Sequence, residues 1–151
     1  MKNKFLFFLV GIFSLLVFSG CYSRMPLANK EETLMTKQFN PPPAGKSGLY
    51  LYRDIGLGVA VYRTLFIDDE IIAVLRPKQY KYIILNPGIH KISTTSEFGH
   101  NHLKIDFKEG KNYFVKQYMK IGVFLAGSNI VEVKSDKAMK ALKDNKFIMV
   151  K

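Results

Sequence analysis

The stretch His102-Leu103-Lys104-Ile105-Asp106-Phe107-Lys108 decides the fold class of this chain, because apolar and charged residues alternate along it. Successive side chains of a β-strand point to opposite faces, so the alternation separates the two kinds of residue. One face carries Leu103, Ile105 and Phe107, and the other carries Lys104, Asp106 and Lys108. The stretch therefore predicts a β-strand with one apolar face.

Further segments rich in strand-forming residues lie on both sides of this stretch. They are Leu49–Tyr52, Val59–Ile67, Ile71–Leu75, Gln79–Leu85, His90–Thr95, Tyr113–Met119 and Ser128–Lys134. Asp68-Asp69-Glu70 indicates the solvated turn of a hairpin, and Pro87-Gly88 indicates a type II turn with a positive φ at Gly88. Near the end, Ser135 can cap a short helix from Asp136 to Lys143.

Short strands with frequent turns and one late helix are typical of a β-sandwich. We therefore predict an all-β domain over residues 48–151, with about seven mostly antiparallel strands and a short C-terminal α-helix. In the late helix, Ala138 and Leu142 would pack on the sandwich, and the lysines on the opposite side would face water.

Residues 1–20 have the three parts of a secretory signal peptide. Lys2 and Lys4 form the basic start, an apolar segment runs from Phe5 to Val17, and Ser19-Gly20 precede Cys21. Phe5 to Gly20 is 16 residues long, whereas a membrane-spanning helix needs roughly 20. The pattern predicts cleavage between Gly20 and Cys21, and a retained transmembrane anchor is the less favoured alternative.

Cys21 is the only cysteine of the chain. Ser19-Gly20-Cys21 resembles the lipobox of bacterial lipoproteins, which implies covalent diacylglycerol and a fatty acid on Cys21. No other cofactor is expected. Several acyl chains hold a protein firmly on a membrane. Tyr22 follows the cysteine where inner-membrane retention would favour Asp. This resemblance predicts a location in the cell envelope, on the outer membrane facing the periplasm.

Residues 21–47 are expected to be the lipidated cysteine followed by a tether. Pro41-Pro42-Pro43 favours extended polyproline geometry and acts as a stiff spacer, and a weak helix from Lys30 to Lys37 is the alternative. The chain has 23 basic and 12 acidic residues, a net charge of +11, and loss of Lys2 and Lys4 leaves +9. Such a charge favours membrane lipid, an acidic envelope protein or an anionic glycopolymer as partner, or it only keeps the domain soluble. Nucleic acid is not expected, because an exported protein rarely meets it.

A family resemblance rests on motifs spread through the domain. They are Pro42–Arg53, Tyr80, Tyr82, Asn86-Pro87-Gly88-Ile89-His90, Gly110–Val115 and Gly122. In this order and spacing, the chain from Pro42 to Leu142 resembles the bacterial lipoproteins grouped as domain of unknown function 2846. The resemblance implies a small β-sandwich of the transthyretin or immunoglobulin type, and it implies no activity.

The sequence carries no nucleophile elbow, phosphate-binding loop or cysteine–histidine zinc spacing, so an enzyme is not expected. His100 and His102 share a face if both lie in one strand. With His90 from the preceding strand they could meet a metal ion, which is the weaker expectation. His90 more simply follows a turn and bonds a neighbouring loop.

Tyrosines and basic residues are interleaved along the predicted strands. A surface that binds an anionic polymer could be built from Tyr80, Lys81, Tyr82, Lys116 and Lys120. The favoured alternative is that these tyrosines only pack on the sheet. The apolar segment from Ile121 to Ile130 would be an interaction patch if exposed.

The sequence thus predicts a membrane-anchored bacterial lipoprotein that is a non-catalytic binding or scaffold module of the cell envelope. The alternative is a metal-binding or hydrolytic envelope protein that uses His90, His100 and His102.

Overall fold

A computed structural model describes residues 25–151; the predicted signal peptide, Gly20 and Cys21 lie outside this range. Residues 25–151 form two helices and nine strands: α1 (Lys30–Thr36), β1 (Ser47–Arg53), β2 (Thr64–Ile67), β3 (Glu70–Val74), β4 (Gln79–Leu85), β5 (Gly88–Thr95), β6 (His100–Phe107), β7 (Asn112–Lys120), β8 (Gly127–Glu132), α2 (Ser135–Leu142) and β9 (Ile148–Met149). The predicted all-β class with a short C-terminal helix is confirmed. No helix within the described range is long and apolar enough to span a bilayer.

The strands form two sheets that pack as a sandwich. One sheet has the order β8-β7-β1-β4-β9 and the other has the order β3-β2-β5-β6. Most neighbours are antiparallel, as predicted, but β1 runs parallel to β7 and β4 runs parallel to β9. The parallel pair β1–β7 matters for the site, because it brings the chain that leaves both strands to the same end of the sandwich.

The core between the sheets follows the alternation seen in the sequence. Ile105 and Phe107 of β6 are buried there, and Lys104 and Asp106 are exposed, as the opening stretch predicts. Leu49, Leu51, Leu65 and Ile92 complete the centre of this cluster.

A second cluster covers the outer face of the five-stranded sheet. Its buried members are Tyr50, Tyr52, Tyr80, Phe114, Ala138, Leu142 and Phe147. Strand β1 is consequently buried at every position, with leucines facing one cluster and tyrosines facing the other. Ala138 and Leu142 are the buried residues of α2, as its sequence predicts, but Lys134 occupies the N-cap, so the predicted cap at Ser135 is wrong.

Over residues 25–47 the prediction of a tether is wrong, because this segment packs on the sandwich. Asn29 and Glu32 form a capping box that starts α1. The hydroxyl of Tyr80 lies 2.6 Å from Oγ1 of Thr36, and the hydroxyl of Tyr50 donates to the Thr36 carbonyl at 2.8 Å. The helix thus provides the partners that two buried tyrosine hydroxyls need.

The predicted strand from Val59 to Ile67 is too long. Strand β2 begins only at Thr64, and residues 54–63 form a loop around the side chain of Arg53, which is 2% exposed. The guanidinium donates hydrogen bonds to the carbonyls of Gly58 (2.7 Å), Val61 (2.6 Å) and Leu75 (3.1 Å). The loop turns inward because a buried cation must have its N–H groups satisfied.

The predicted hairpin turn is present at Asp68-Asp69, whereas at Pro87-Gly88 only the positive φ agrees with the predicted type II turn. Asp68 and Asp69 both have positive φ (50° and 68°), which is typical of the type I′ turn of a two-residue hairpin between β2 and β3. Gly88 has φ +135°, so the position after Pro87 has the positive φ that was predicted.

Candidate functional site

The three histidines do not form one site. His90 pairs with Ile105 across the β5–β6 ladder, whereas His100 pairs with Thr95 and His102 pairs with Ser93. His90 therefore lies on the core-facing side of the ladder, and the other two lie on the opposite side. Within residues 25–151 no cluster of three or more His, Cys, Asp or Glu side chains is arranged for a metal ion.

His90 bonds the neighbouring hairpin, as the simpler interpretation of the sequence predicts. Nδ1 of His90 lies 2.6 Å from Oδ2 of Asp68, and Nε2 lies 2.9 Å from the carbonyl oxygen of Asn86. Burial opposes the charged imidazole, but the two acceptors prevail and raise the pKa of His90. Both ring nitrogens face acceptors, so the protonated ring fits best and this histidine is a poor metal ligand.

The acidic hairpin turn is bonded to β5. Asp68 accepts the backbone N–H of Lys91 at 2.9 Å, and the Lys91 ammonium pairs with Asp69 at 2.7 Å. On the outer side of the same strands, His100 and His102 line a shallow cavity of about 260 Å³ with Phe66 and Ser93 among its other walls. The ring of His100 stands edge-on to Phe66, with ring centroids 5.2 Å apart.

The proposed tyrosine–lysine surface is not assembled in the structure. Tyr80 is fully buried and Tyr82 is partly buried in the outer aromatic cluster. Lys81 lies on the opposite face of β4, since neighbouring residues of a strand alternate. Lys116 and Lys120 lie on β7, on the same face as the tyrosines, and only Lys120 is exposed. The packing role of the tyrosines, which the sequence favours, explains their positions.

A group of exposed apolar side chains lies at one end of the sandwich. Three loops meet there: residues 54–63 after β1, 96–99 between β5 and β6, and 121–126 between β7 and β8. They carry eight large apolar side chains that are each 57–85% exposed: Ile55, Leu57, Val59, Phe98, Ile121, Val123, Phe124 and Leu125. We call these eight residues the apolar tip. Monomeric soluble proteins rarely expose so many apolar side chains together, so the tip is a candidate binding surface.

Glu97 holds two of the three loops together. Its carboxylate accepts the backbone N–H groups of Val123 (2.7 Å), Phe124 and Leu125 (2.9 Å). These hydrogen bonds lower the pKa of Glu97 because they favour the ionised form. Gly122 lies close to the Glu97 carboxylate, and a Cβ at this position would approach the Leu125 carbonyl oxygen to 1.8 Å. The loop therefore presents its apolar side chains from a defined backbone.

Two arginines hold the rest of the tip. The buried Arg53 binds the carbonyls of Gly58 and Val61 in the first loop, and Arg63 donates to the carbonyl of Ala126 in the third loop. Beneath them, the Gln117 amide donates to the hydroxyl of Thr94 at 2.8 Å and closes the core with a polar contact. Charged groups thus bind the backbone of the loops and leave their apolar side chains in water.

The side chains around the tip are mainly basic. Arg63, Arg76, Lys78, Lys116 and Lys120 lie at its border. Asp54 and Asp144 both pair with Lys78, at 2.8 and 2.9 Å, and Glu97 is occupied by backbone N–H groups. The five basic side chains outnumber the three carboxylates of Asp54, Asp144 and Glu97, which leaves a net charge of 5 − 3 = +2 at this border.

Only part of this site was predicted from the sequence. The apolar segment from Ile121 to Ile130 was expected to be an interaction patch if exposed; its first half is exposed, and its second half is buried in β8. Ile55 to Val59 was missed because Val59 was assigned to a strand. Gly56 and Gly58 do predict a bend before that strand, because glycine weakens a strand, but a bend alone does not show that Ile55, Leu57 and Val59 are exposed.

A second apolar feature lies beside α1. A groove of about 540 Å³ runs between this helix and the segment before β9, with Leu27, Leu34 and Phe147 among its walls. Lys30 and Lys37 border it. It is separate from the apolar tip.

Fold and tip together define the class: a small β-sandwich protein with a preformed apolar loop surface. Residues 43–139 match the family described as "Protein of unknown function (DUF2846)", and the chain belongs to this family, as its sequence motifs predict. It is similar to an "Uncharacterized protein" of Haemophilus influenzae (strain ATCC 51907 / DSM 11121 / KW20 / Rd), with 43% identity over 127 residues that cover 84% of this chain and 75% of that protein. No solved structure matches the chain.

Proposed function

We propose that this protein is a membrane-anchored bacterial lipoprotein and a non-catalytic binding module of the cell envelope, with the apolar tip as its binding surface. Anchoring is supported by the basic start, apolar segment and Ser19-Gly20-Cys21 pattern of the chain. The proposed location is the outer membrane, on its periplasmic face, with diacylglycerol and a fatty acid on Cys21.

The apolar tip is the observation that carries the binding role. Exposing eight large apolar side chains has a cost in solubility, which a functional contact explains. Glu97, Arg53 and Arg63 order the three loops before any partner is present, which lowers the entropy lost on binding. The roles of the charged residues near the tip are thereby structural, and the proposed function needs no reacting group among them.

The test of anchoring is fatty-acid labelling and membrane fractionation of the full chain in a bacterial host. The variant Cys21→Ser should lose both the label and the membrane fraction. Ser19→Ala is the matched control, because it keeps a small residue before the cleavage point and should keep both. A labelled, membrane-bound Cys21→Ser protein would show that the anchor is elsewhere.

An envelope protein complex and an anionic glycopolymer are the other candidate partners of the basic domain. Co-sedimentation with isolated sacculi over a salt gradient tests the glycopolymer. The alternative function, a metal-binding or hydrolytic protein, draws no support from the geometry, because His90 lies on the other side of the ladder from His100 and His102. Stoichiometric metal in the purified protein that His100→Ala removes would favour it.

A further inference from the structure

We infer that the apolar tip inserts into the phospholipid bilayer that carries the lipid anchor, so that the domain contacts the membrane at two points. The inference rests on the proposed lipidation of Cys21 and names the target of the proposed binding surface. Four observations support it: the position of Met25, the bonding of the loop backbone, the charges at the border, and the shape of the tip.

The start of the described chain lies close to the tip. The sulfur of Met25 accepts the backbone N–H of Val74 at 3.2 Å, and Val74 pairs with Thr64, the first residue of β2 after the tip loop 54–63. Thr64 bonds the hydroxyl of Thr95, the last residue before loop 96–99. Met25 therefore lies beside the residue pair Thr64–Val74, at the end of the four-stranded sheet that is next to the tip.

Only four residue steps separate Met25 from Cys21. An extended chain spans at most about 3.6 Å per residue, so the anchored cysteine lies within about 14 Å of Met25. An anchor at this distance keeps the tip end beside the bilayer surface. Contact of the tip with the same membrane then becomes an intramolecular event with a high effective concentration.

Part of the backbone of the tip has hydrogen-bond partners that would remain in an apolar environment. An irregular segment enters lipid at a large cost unless its N–H and C=O groups have partners. In loop 121–126, Glu97 accepts three consecutive N–H groups and Arg63 donates to the Ala126 carbonyl. In loop 54–63, Arg53 satisfies two carbonyls. Glu97 and Arg63 belong to the tip loops themselves and Arg53 ends β1, whereas the eight apolar side chains remain 57–85% exposed.

The charge and shape of this end fit a membrane with anionic headgroups. Five basic residues and three carboxylates border the tip, so the net charge there is 5 − 3 = +2. A basic border around apolar side chains allows the cations to meet phosphates while the apolar groups enter the acyl region. The tip is formed by projecting loops at the end of the sandwich, and a bilayer needs no complementary shape to accept it.

A single tryptophan tests the inference, because the chain contains none. The full acylated chain with Phe124→Trp is reconstituted in vesicles of phosphatidylethanolamine and phosphatidylglycerol, with or without brominated acyl chains. Ile89→Trp is the matched control, because Ile89 is 71% exposed but lies beside the β4–β5 turn at the other end of the sandwich. We expect blue-shifted emission from Phe124→Trp and loss of most of it with brominated lipid, and neither effect with Ile89→Trp.

A second tryptophan variant controls for a local effect of the Phe124→Trp substitution. Ile55→Trp lies in another tip loop and should also be quenched, and adding Phe124→Asp to it should abolish most of the quenching. Emission that is blue-shifted but insensitive to brominated lipid would reveal contact with a second copy or another protein, and unshifted emission would place the tip in water; both overturn the inference.

The fatty-acid content of the same sample separates the two proposals. An acylated chain with an unquenched probe overturns membrane insertion alone, and a chain without fatty acid overturns both.

Discussion

Nδ1 of His90 lies 2.6 Å from Oδ2 of Asp68, and this contact joins the β2–β3 hairpin to strand β5. Burial opposes ionisation of both groups, but their mutual hydrogen bond and the backbone partners raise the pKa of His90 above 6.5 and lower that of Asp68 below 3.8. The stabilisation from His90 is complete below pH 6.5 and is lost as the pH rises through its raised pKa. The stabilisation from Asp68 is present above pH 3.8 and is lost as the pH falls through its lowered pKa.

We therefore expect this pair to contribute most between about pH 4 and 6.5, and to add about 0.5–1 kcal/mol because it is partly exposed. His90→Asn should lower the free energy of unfolding by that amount at pH 5.5 and by less at pH 8.5, measured by urea denaturation. A loss that is equal at both pH values would show that the imidazolium charge has no role. Lys104→Gln, on the exposed face of β6, is the control.

Arg53 should be a major determinant of stability although it lies outside the apolar clusters. Arg53→Met keeps the apolar stem but leaves the carbonyls of Gly58, Val61 and Leu75 without their donor. Unsatisfied buried acceptors and lost charge-assisted bonds cost about 2–4 kcal/mol in unfolding free energy. Lys137→Met on the exposed side of α2 should cost less than about 0.5 kcal/mol. Similar urea midpoints for the two variants would contradict this assignment.

The helix α1 should be docked through hydroxyl groups. Tyr80→Phe removes a buried hydroxyl that bonds Oγ1 of Thr36 at 2.6 Å and the Thr33 carbonyl at 3.0 Å. We expect a loss of about 1–2 kcal/mol and faster proteolysis between residues 29 and 40. Tyr118→Phe, at a 38% exposed tyrosine of β7, is the control and should change neither. Proteolysis at the same rate in both variants would show that α1 is held by other contacts.

Glu97 should control the order of the third tip loop. Because hydrogen bonds to the backbone lower its pKa, the ionised carboxylate persists below pH 4.5 and its contribution is lost as the pH falls through the lowered value. Glu97→Gln weakens three acceptor bonds, so amide hydrogen exchange at Val123, Phe124 and Leu125 should rise about tenfold or more. Glu109→Gln, which changes a carboxylate that accepts the Gly45 N–H at 2.6 Å, should leave these three amides unchanged.

Gly122→Ala tests whether the same loop depends on close packing at Gly122. A Cβ there would overlap the Leu125 carbonyl oxygen and the Glu97 carboxylate, so the loop must move. We expect the three protected amides to exchange faster while the urea midpoint of the sandwich stays nearly constant, because the loop lies outside both apolar clusters. Unchanged amide protection would mean that the loop tolerates the methyl group without rearrangement.

The strands were predictable because their signal is local. Alternation from Leu103 to Lys108 and the turn residues at Asp68-Asp69 and Pro87-Gly88 report backbone preferences of neighbouring residues. The length of β2 was not predictable in the same way. It is limited by Arg53, a residue of another strand whose guanidinium holds the Gly58 and Val61 carbonyls.

The three histidines do not meet because of the register in which β5 and β6 pair. His100 and His102 do share a face, as their spacing predicts, but whether His90 joins them depends on which residues pair across the β5–β6 hairpin. Thr95 pairs with His100, so His90 pairs with Ile105 and lies on the other side. A shift of one residue would reverse the outcome, and the spacing of the three histidines contains no information on that shift.

The sequence by itself determined the strand-rich class, the solvated turns, the basic charge and the family, because each follows from composition, period or motif order over short distances. Tertiary structure alone decided which tyrosines are buried and where the exposed apolar tip lies. Ile55, Phe98 and Phe124 are far apart in the chain and meet only because β1 and β7 run parallel and the β5–β6 loop reaches the same end. Their common exposure is a property of this packing, since an apolar side chain is buried or exposed according to which other strands and helices cover it.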